Sequence, residues 1–313
     1  MEDHADLLSP AYVSGLWLSK GIAHFNRAEW RFALDALRKA RNLIDRTDAS
    51  RRIVLGGTDQ LIPTQHYFFQ SLAGMGFIDE AVETTARFVQ TIDRIEKPFD
   101  IAWALVIKCS LCALLGQNDV LLQAAAKMVE ISERHGYRAR QGNGLSWRGL
   151  ARSRLGELDA GIDDAREGLE IWRGQGGVIH TQELVCQLCN LLVQAGRLDE
   201  ASQLLDEAEA LAIDADEACF LAECVRIRGQ IAAGRNDLID AVRLFEKAIA
   251  ISQRQEARLF ELRATTQLAS VLTRQGRAHL GAPRLCVIID AFDTKHEIVD
   301  LAAARKVLDT LRR

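Results

Sequence analysis

Two Cys-x2-Cys pairs, Cys109/Cys112 and Cys186/Cys189, are the residues of this chain best suited to hold a metal, because paired thiolates at that spacing supply half of a tetrahedral zinc site. Both pairs lie in helical patterns, and Cys109 and Cys189 occupy equivalent places in units two repeats apart. Four helix layers of about 8–10 Å each would hold them on the order of 30 Å apart, against a zinc–sulfur bond of about 2.3 Å. A shared metal is excluded, and the cysteines are expected as small buried apolar residues. Ser146 follows Gly144 by two residues but has Arg148 where a nucleophile elbow requires its second glycine, and the seven histidines form no His-Glu-x2-His. Gly174, Gly176 and Gly177 complete no dinucleotide fingerprint, and no Gly-x4-Gly-Lys-Ser/Thr is present. No catalytic residue, metal or cofactor is expected, and the chain reads as a non-enzyme.

What the residue types support instead is a recognition surface. One row at forty-residue spacing reads Gln70, Ser110, Leu150, Asn190, Gln230 and Ser270. Four residues earlier stand His66, Val106, Ser146, Cys186, Arg226 and Thr266, and three earlier again Pro63, Trp103, Asn143, Glu183, Glu223 and Arg263. Spacings of three, four and seven place these rows on one helix face. Neutral hydrogen-bonding groups dominate, with Glu223, Arg226 and Arg263 toward the C-terminal half, which suits an extended peptide of a protein partner, or a polar small ligand, better than a lipid. Arg226 could grip a carboxylate or phosphate through two parallel bonds, or pair with Glu223 one turn away as an exposed contact worth about 0.2–0.5 kcal/mol.

The elements that must present such a surface are set by glycine. Gly76, Gly116, Gly156, Gly196 and Gly276 lie on one forty-residue ladder, and Asn236 fills the remaining rung. Asparagine is the common substitute that tolerates left-handed backbone, so each rung is expected to end a helix. Five residues beyond each rung stand Ala81, Leu121, Gly161, Ala201, Ala241 and Gly281, and seven before it Phe69, Cys109, Gly149, Cys189, Gly229 and Ala269; most are small, as close helix crossings require. A period of this length marks stacked helix-turn-helix units.

The expected architecture is all-α: an elongated right-handed α-solenoid over residues 11–313 after an N-terminal tail, 1–10. About seven helix pairs are placed near 12–26 and 30–45, 64–75 and 78–94, 102–115 and 118–134, 143–155 and 158–173, 182–195 and 198–213, 219–233 and 237–253, and 260–275 and 278–291. A last helix near 299–311 should cap the seventh unit with Leu301, Val307, Leu308 and Leu311. Pro283 either delays the last paired helix or kinks it. One interval breaks the beat: Gly21 precedes Phe69 by forty-eight residues, which places an insertion in Ser50–Pro63. Its Asp59 is a loop candidate for function, the alternative being a solvated surface turn.

Composition agrees with stacked helices: 48% hydrophobic residues, four prolines and 6% aromatics. A formal charge of -4, with 39 basic and 43 acidic residues intermingled, offers no basic stripe for nucleic acid. The longest apolar run, Ile101–Leu115, is interrupted by Lys108 and shorter than the roughly 20 residues a membrane crossing requires. The N-terminus lacks a signal-peptide pattern, and seven cysteines, an odd number within helices, suit a reducing compartment. A soluble cytoplasmic protein is expected, without nucleic-acid or membrane partners.

Two resemblances follow from particular residues. Trp17-x3-Gly21 with Ala33, Leu37 and Ala40, and Gly229 with Ala241, Phe245 and Ala248, resemble the tetratricopeptide signature, with departures at Lys20 and Asp45. From Gly15 onward the chain is also similar to the C-terminal helical-repeat region of bacterial class III adenylate/guanylate cyclases that carry a P-loop signalling ATPase. The similarity is densest over Ala241–Ala269, including Glu261-Leu262-Arg263-Ala264, and extends to Arg148-Gly149, Gly161-Ile162, Gly168-Leu169-x2-Trp172-Arg173 and Gly57-x-Asp59. Lys295-His296-Glu297-Ile298 departs from the Gly-Phe-Asp-Thr of those relatives. The resemblance implies a regulatory or partner-binding module of bacterial signal transduction linked to cyclic-nucleotide signalling, or else a free-standing adaptor that binds a peptide or helix. The cyclase and ATPase parts lie outside this sequence, so their activities do not carry over.

Overall fold

Every rung of the glycine ladder ends a helix in the left-handed region. Gly76, Gly116, Gly156, Gly196, Asn236 and Gly276 have φ between 63° and 98°. At each, the following residue's N–H returns to a carbonyl five residues back, as Gln117 does to Cys112 and Arg197 to Leu192, at 2.9 and 2.8 Å. That bond satisfies one of the orphan carbonyls of a helix end. A second set of left-handed residues lies half a period away, at Gly136, Gly176 and Glu256 (φ 72°, 68° and 57°), and Ala28 (φ 59°) joins the first two helices in the same way. The connectors that follow residues 135, 174 and 254 therefore place a left-handed residue as the turns within a unit do.

These turns divide the computed structural model, which describes residues 9–46, 54–55, 58–176, 181–214 and 218–312, into fifteen helices. Seven antiparallel pairs run α1 Pro10–Asn26 and α2 Trp30–Asp45, α3 Leu61–Gly74 and α4 Ile78–Val89, α5 Pro98–Leu115 and α6 Asn118–His135, and α7 Arg138–Arg154 and α8 Leu158–Gly174. They continue through α9 Thr181–Gln194 and α10 Leu198–Asp214, α11 Leu221–Gly234 and α12 Leu238–Arg254, and α13 Arg258–Arg274 and α14 Ala278–Asp290, and α15 Val299–Leu311 follows. The fold is the expected seven-repeat α-solenoid. Helix ends depart locally from expectation: α3, α5 and α7 start three to five residues early. α4 stops at Val89, with a 3-10 turn at Ile92–Arg94 completing the expected span to 94; α14 starts at Ala278 and runs through Pro283, so its start is not delayed. Most of the expected tail, residues 1–8, lies outside the described residues.

Small residues set the depth of packing, most clearly between α7 and α8. A Cβ on Gly149 would stand 2.4 Å from the Gly161 carbonyl oxygen, and one on Gly142 2.7 Å from that of Gly168. Two reciprocal glycine pairs thus bring the two backbones into contact, and no larger side chain fits there. Elsewhere a large residue fills the space opposite a small one: Phe245 against Gly229 and Leu37 against Gly21.

The described part of the insertion forms two short strands, β1 Val54–Leu55 and β2 Thr58–Asp59, paired antiparallel. Thr58 Oγ1 donates to Asp100 Oδ1 at 2.6 Å, and Asp59 Oδ1 accepts from the Leu61 N–H at 2.9 Å. Asp59 thus helps to start α3, and Pro63 sits inside that helix rather than ahead of it. The apolar helix α5 could cross a membrane by length and composition alone, yet 67% of it is buried by its neighbours.

The expectation of an elongated array is corrected by contacts between its ends. α3 meets α13, and α15 meets α5. Trp30 packs edge-on against Phe260 with ring centroids 5.8 Å apart, the Ala218 N–H donates to the Asn26 carbonyl at 2.7 Å, and Arg31 pairs with Glu256. Asp79 accepts from Thr294 Oγ1 at 2.5 Å, and Lys295 Nζ reaches Glu83 at 2.6 Å. After seven repeats the superhelix has come round far enough for its first two units to touch its last two. The capping helix shares in this closure. Leu301 and Leu308 pack into the core as expected, with Val307 and Leu311 against it, but α15 also spans the interior toward α5. Sequence periodicity is blind to such closure, which depends on small rotations accumulated between units.

Candidate ligand-binding lumen

Closure turns the concave face into a lumen. A cavity of about 360 Å³ occupies it, bounded by α3, α5, α7, α9, α11 and α13, the first helices of units two to seven, together with Trp30 of α2 and Asp300 of α15. A smaller cavity of about 100 Å³ adjoins it, with Trp147, Glu183 and Gln187 in the shared wall. Ten residues of the expected rows, among them Gln70, Asn190, Glu223, Arg226 and Arg263, line the main cavity. His66, Trp103, Asn143 and Ser146 line the side cavity instead. Gln230 borders neither, and Asp59 lies apart in the hairpin; these two are not brought to the site.

The C-terminal wall of the lumen is a ladder of alternating charges. Arg226 donates to both Glu223 oxygens at 2.9 and 3.1 Å and to Asn190 Oδ1 at 2.9 Å. Arg263 donates to Glu223 at 3.2 Å and forks onto Asp300 at 2.8 and 3.1 Å. Asn190 completes the chain by donating to the Cys186 carbonyl at 2.7 Å. The Arg226–Glu223 contact is therefore buried, with side-chain exposures of 6% and 5%, and the exposed surface pair considered from sequence is corrected. Burial alone would raise the Glu223 carboxyl, but the charges of Arg226 and Arg263 outweigh it and hold the group below the usual range. Asp300 behaves alike: burial opposes ionisation, and Arg263, aided by Arg154 and Arg226, prevails. Arg263 loses stability as a cation through burial, yet Asp300 and Glu223 hold it well above its ordinary value.

Elsewhere in the lumen Gln70, Ser110 and Gln267 supply uncharged donors and acceptors, Trp30, Phe69, Trp147 and Phe260 supply apolar faces, and Glu183 and Arg154 add two further charged side chains, Arg154 Nη1 donating to the Ala113 carbonyl at 2.8 Å. The lining is thus mixed, with a charge ladder beside aromatic faces and uncharged amides, and a cavity with a few convergent polar groups is the ordinary form of a binding site.

The cysteines are core residues. Cys109 and Cys112 belong to one apolar cluster and Cys186 and Cys189 to another. Cys186 Sγ faces Cys224 Sγ at 3.6 Å and Cys189 Sγ lies 3.5 Å from the Ala201 carbonyl, so the pairs do not converge. Among the described residues no three metal-ligating side chains cluster.

Sequence reasoning missed Trp30, Arg140, Trp172 and Asp300. Arg140 was within reach, since it stands one turn before Asn143 in the row that continues as Phe220 and Phe260. Asp300 lies forty residues after Phe260 on that same row and meets the lumen beside Arg263 of the neighbouring helix, whereas Trp30, ahead of the insertion, is brought there by closure.

No family model matches the chain. An uncharacterized protein of Rhizobium meliloti (strain 1021) is 25% identical over 242 residues; these are 77% of this chain and 24% of that protein, so the chain spans about a quarter of its relative's length. Among solved structures, a Rap protein complexed with competence and sporulation factor superposes with a TM-score of 0.64 at 12% identity, over 96% of this chain and 80% of that one. NprR in complex with its cognate peptide NprX gives 0.59 at 15% identity, over 96% and 83%. A tetratricopeptide repeat protein from Parabacteroides merdae gives 0.50 at 11% identity, over 96% and 100%. At these identities the likeness establishes the fold: the chain is an α-solenoid of the tetratricopeptide class.

Proposed function

We propose that the chain is a non-catalytic, peptide-binding regulatory module whose lumen takes an extended segment of a protein partner. The observation that carries this reading is the lumen itself, a polar and aromatic cavity of about 360 Å³ walled by one helix from each of six successive repeats. An extended chain presents a donor and an acceptor at every residue, and a wall of amides, hydroxyls and fixed ion pairs answers such a pattern along its length. The solved relatives described with a bound peptide or factor share this architecture, which supports the same use here.

Regulation would follow from closure. Few contacts join the first units to the last, chiefly Trp30 with Phe260, Arg31 with Glu256, and Asp79 and Glu83 with the 294–295 turn. A ligand touching six repeats binds one curvature better than another and shifts the population toward it. Whatever is attached to the solenoid then experiences a change in the spacing of its ends. The chain's span of only a quarter of its Rhizobium relative supports placing it within a larger bacterial signalling protein, and the cyclase-type resemblance makes cyclic-nucleotide signalling in the cytoplasm the finer reading.

The test is retention of peptides from a random-sequence heptapeptide pool, with protein and bound peptide separated by size and the peptides identified by mass. Recovery of a restricted sequence set is expected. Recovery of no peptide above the level of an unrelated helical protein would overturn the reading.

A further inference from the structure

Three N–H donors around the side cavity are buried without an acceptor. Nε1 of Trp103, Nε1 of Trp172 and Nε of Arg140 are each enclosed and make no hydrogen bond, although all three residues line the same cavity of about 100 Å³. Trp172 as a whole is only 9% exposed. A buried donor left unmatched costs about 1–3 kcal/mol, and buried polar groups are ordinarily satisfied, so three around one cavity point to a missing acceptor. The cavity is several times the ~10–15 Å³ that admits a single water.

The charge of Arg140 sharpens the identity of that acceptor. Its guanidinium carbon lies 4.1 Å from the Trp103 ring centroid, and its Nη1 donates to Asn143 Oδ1 at 3.0 Å. Among the described residues no carboxylate pairs with it, in contrast to Arg226 and Arg263. Burial pushes it down to about 10, with only a small opposing contribution from Tyr67. Ser146 Oγ is engaged with Gln187 Oε1 at 2.5 Å, and beside the two indoles and the guanidinium His66 Nδ1 is also enclosed without a hydrogen bond, its role as donor or acceptor set by the tautomer. A hydroxyl or carbonyl would satisfy donors but leave the charge. A carboxylate has two oxygens and about four acceptor sites, enough for all three donors, and a guanidinium is its preferred partner.

We propose that the side cavity is a carboxylate pocket, in which Arg140 and the indole N–H groups of Trp103 and Trp172 hold the anionic end of the ligand. For the position of the rest of that ligand this rests on the peptide reading of the lumen. Glu183 also lines this cavity, on the wall it shares with the main one, and its carboxyl opposes the pull of Arg140 on an anion; the remaining chain runs past Gln187 into the main cavity. The carboxylate could be a peptide C-terminus, an acidic side chain or a small free acid.

Indole N–H resonances of the full chain, labelled with 15N tryptophan and assigned through single Trp→Phe variants, read the two cavities separately. Trp103 and Trp172 line only the side cavity, and Trp30 only the main one. Titration with acetate, with a free-acid heptapeptide pool and with the same pool amidated at its C-termini distinguishes the sources. Saturable shifts of Trp103 and Trp172 are expected with the free-acid pool, weakened at least tenfold in Arg140→Met. Loss of those shifts on amidation identifies a C-terminus, their persistence an acidic side chain, and an equal response to acetate a small free acid. Movement of Trp30 without Trp103 and Trp172 would overturn the pocket while sparing the lumen reading. Shifts of Trp103 and Trp172 with acetate while Trp30 stays still under both peptide pools would keep the pocket and discard the peptide. No saturable shift in any arm, or shifts undiminished in a folded Arg140→Met, would mean that water fills the cavity and would overturn the proposal.

Discussion

Replacing Arg226 by methionine removes one cation from the buried ladder and keeps most of the side-chain volume. Glu223 would lose the bonds at 2.9 and 3.1 Å and keep only the contact from Arg263 at 3.2 Å, while Asn190 Oδ1 loses its donor at 2.9 Å. An exposed pair one turn apart is worth about 0.2–0.5 kcal/mol. Stripping one partner from a buried pair costs about 3–5 kcal/mol, because the charge left behind stays out of water. Arg263 remains to share the Glu223 charge, which places the expected loss near the lower end, about 3 kcal/mol. The double variant Arg226→Met/Glu223→Leu removes both charges and leaves Arg263 forked onto Asp300. An apolar replacement of a buried ion pair is often neutral or stabilising, so the double variant should lie within about 1 kcal/mol of wild type, about 2 kcal/mol more stable than Arg226→Met; Glu223→Leu alone completes the cycle from which the coupling is read. Urea unfolding followed by far-ultraviolet circular dichroism measures this, provided the slopes agree. A single variant costing under about 0.5 kcal/mol, with no coupling, would refute the buried ladder.

Five further outcomes follow from the geometry. Gly196→Val, in a turn with φ 73° and open space around the site, should cost about 1–2 kcal/mol or more from backbone strain alone, whereas Asn236→Gly relieves that strain and loses only the exposed Arg274 contact; equal losses in thermal melts would contradict the turn assignment. Gly149→Ala places a Cβ 2.4 Å from the Gly161 carbonyl and should cost about 3 kcal/mol or more by forcing α7 from α8, a prediction that a near-neutral urea midpoint would exclude. Glu223 and Asp300 are held below their unfolded values, about 4.3 and 3.9, so their contribution is complete above those values and is lost as pH falls through the folded ones; acid should shift the wild-type midpoint more than that of Arg226→Met/Glu223→Leu. Six of the seven cysteines are buried and Cys286 is partly exposed, so a thiol reagent should label one site quickly and the rest only on unfolding. Elemental analysis should find no stoichiometric zinc.

The repeat count, the turns and the helix pairs were legible because each depends on residues close in sequence. Gly196 needs a left-handed turn whatever the tertiary structure, and Gly149 and Gly161 mark a close crossing by position alone. The composition of the lumen was legible in part, since Asn190, Glu223, Arg226 and Arg263 share a face through the period. Closure was not, and burial was not. From sequence Arg226 read as a grip for a ligand anion, with a solvated pair to Glu223 as the alternative; Arg263 from the next unit and Asp300 from the last helix instead bury the pair. Gln230 shares the periodic row of Asn190 but borders neither cavity, because the row describes a face and not the curvature that decides which residues reach the interior.

The central claim is that a peptide occupies the lumen, and a plug tests it most directly. Ser110 is 6% exposed, borders the main cavity and only donates to the Val106 carbonyl of its own helix, so Ser110→Phe fills space without touching the charge ladder or the closure contacts. A peptide retained by the wild type, labelled and titrated by fluorescence anisotropy, should bind the plugged variant at least tenfold more weakly, about 1.4 kcal/mol, while the two proteins show the same circular dichroism and the variant still unfolds in one cooperative urea transition. Equal affinity in a folded Ser110→Phe would contradict the account and place the binding surface outside the lumen.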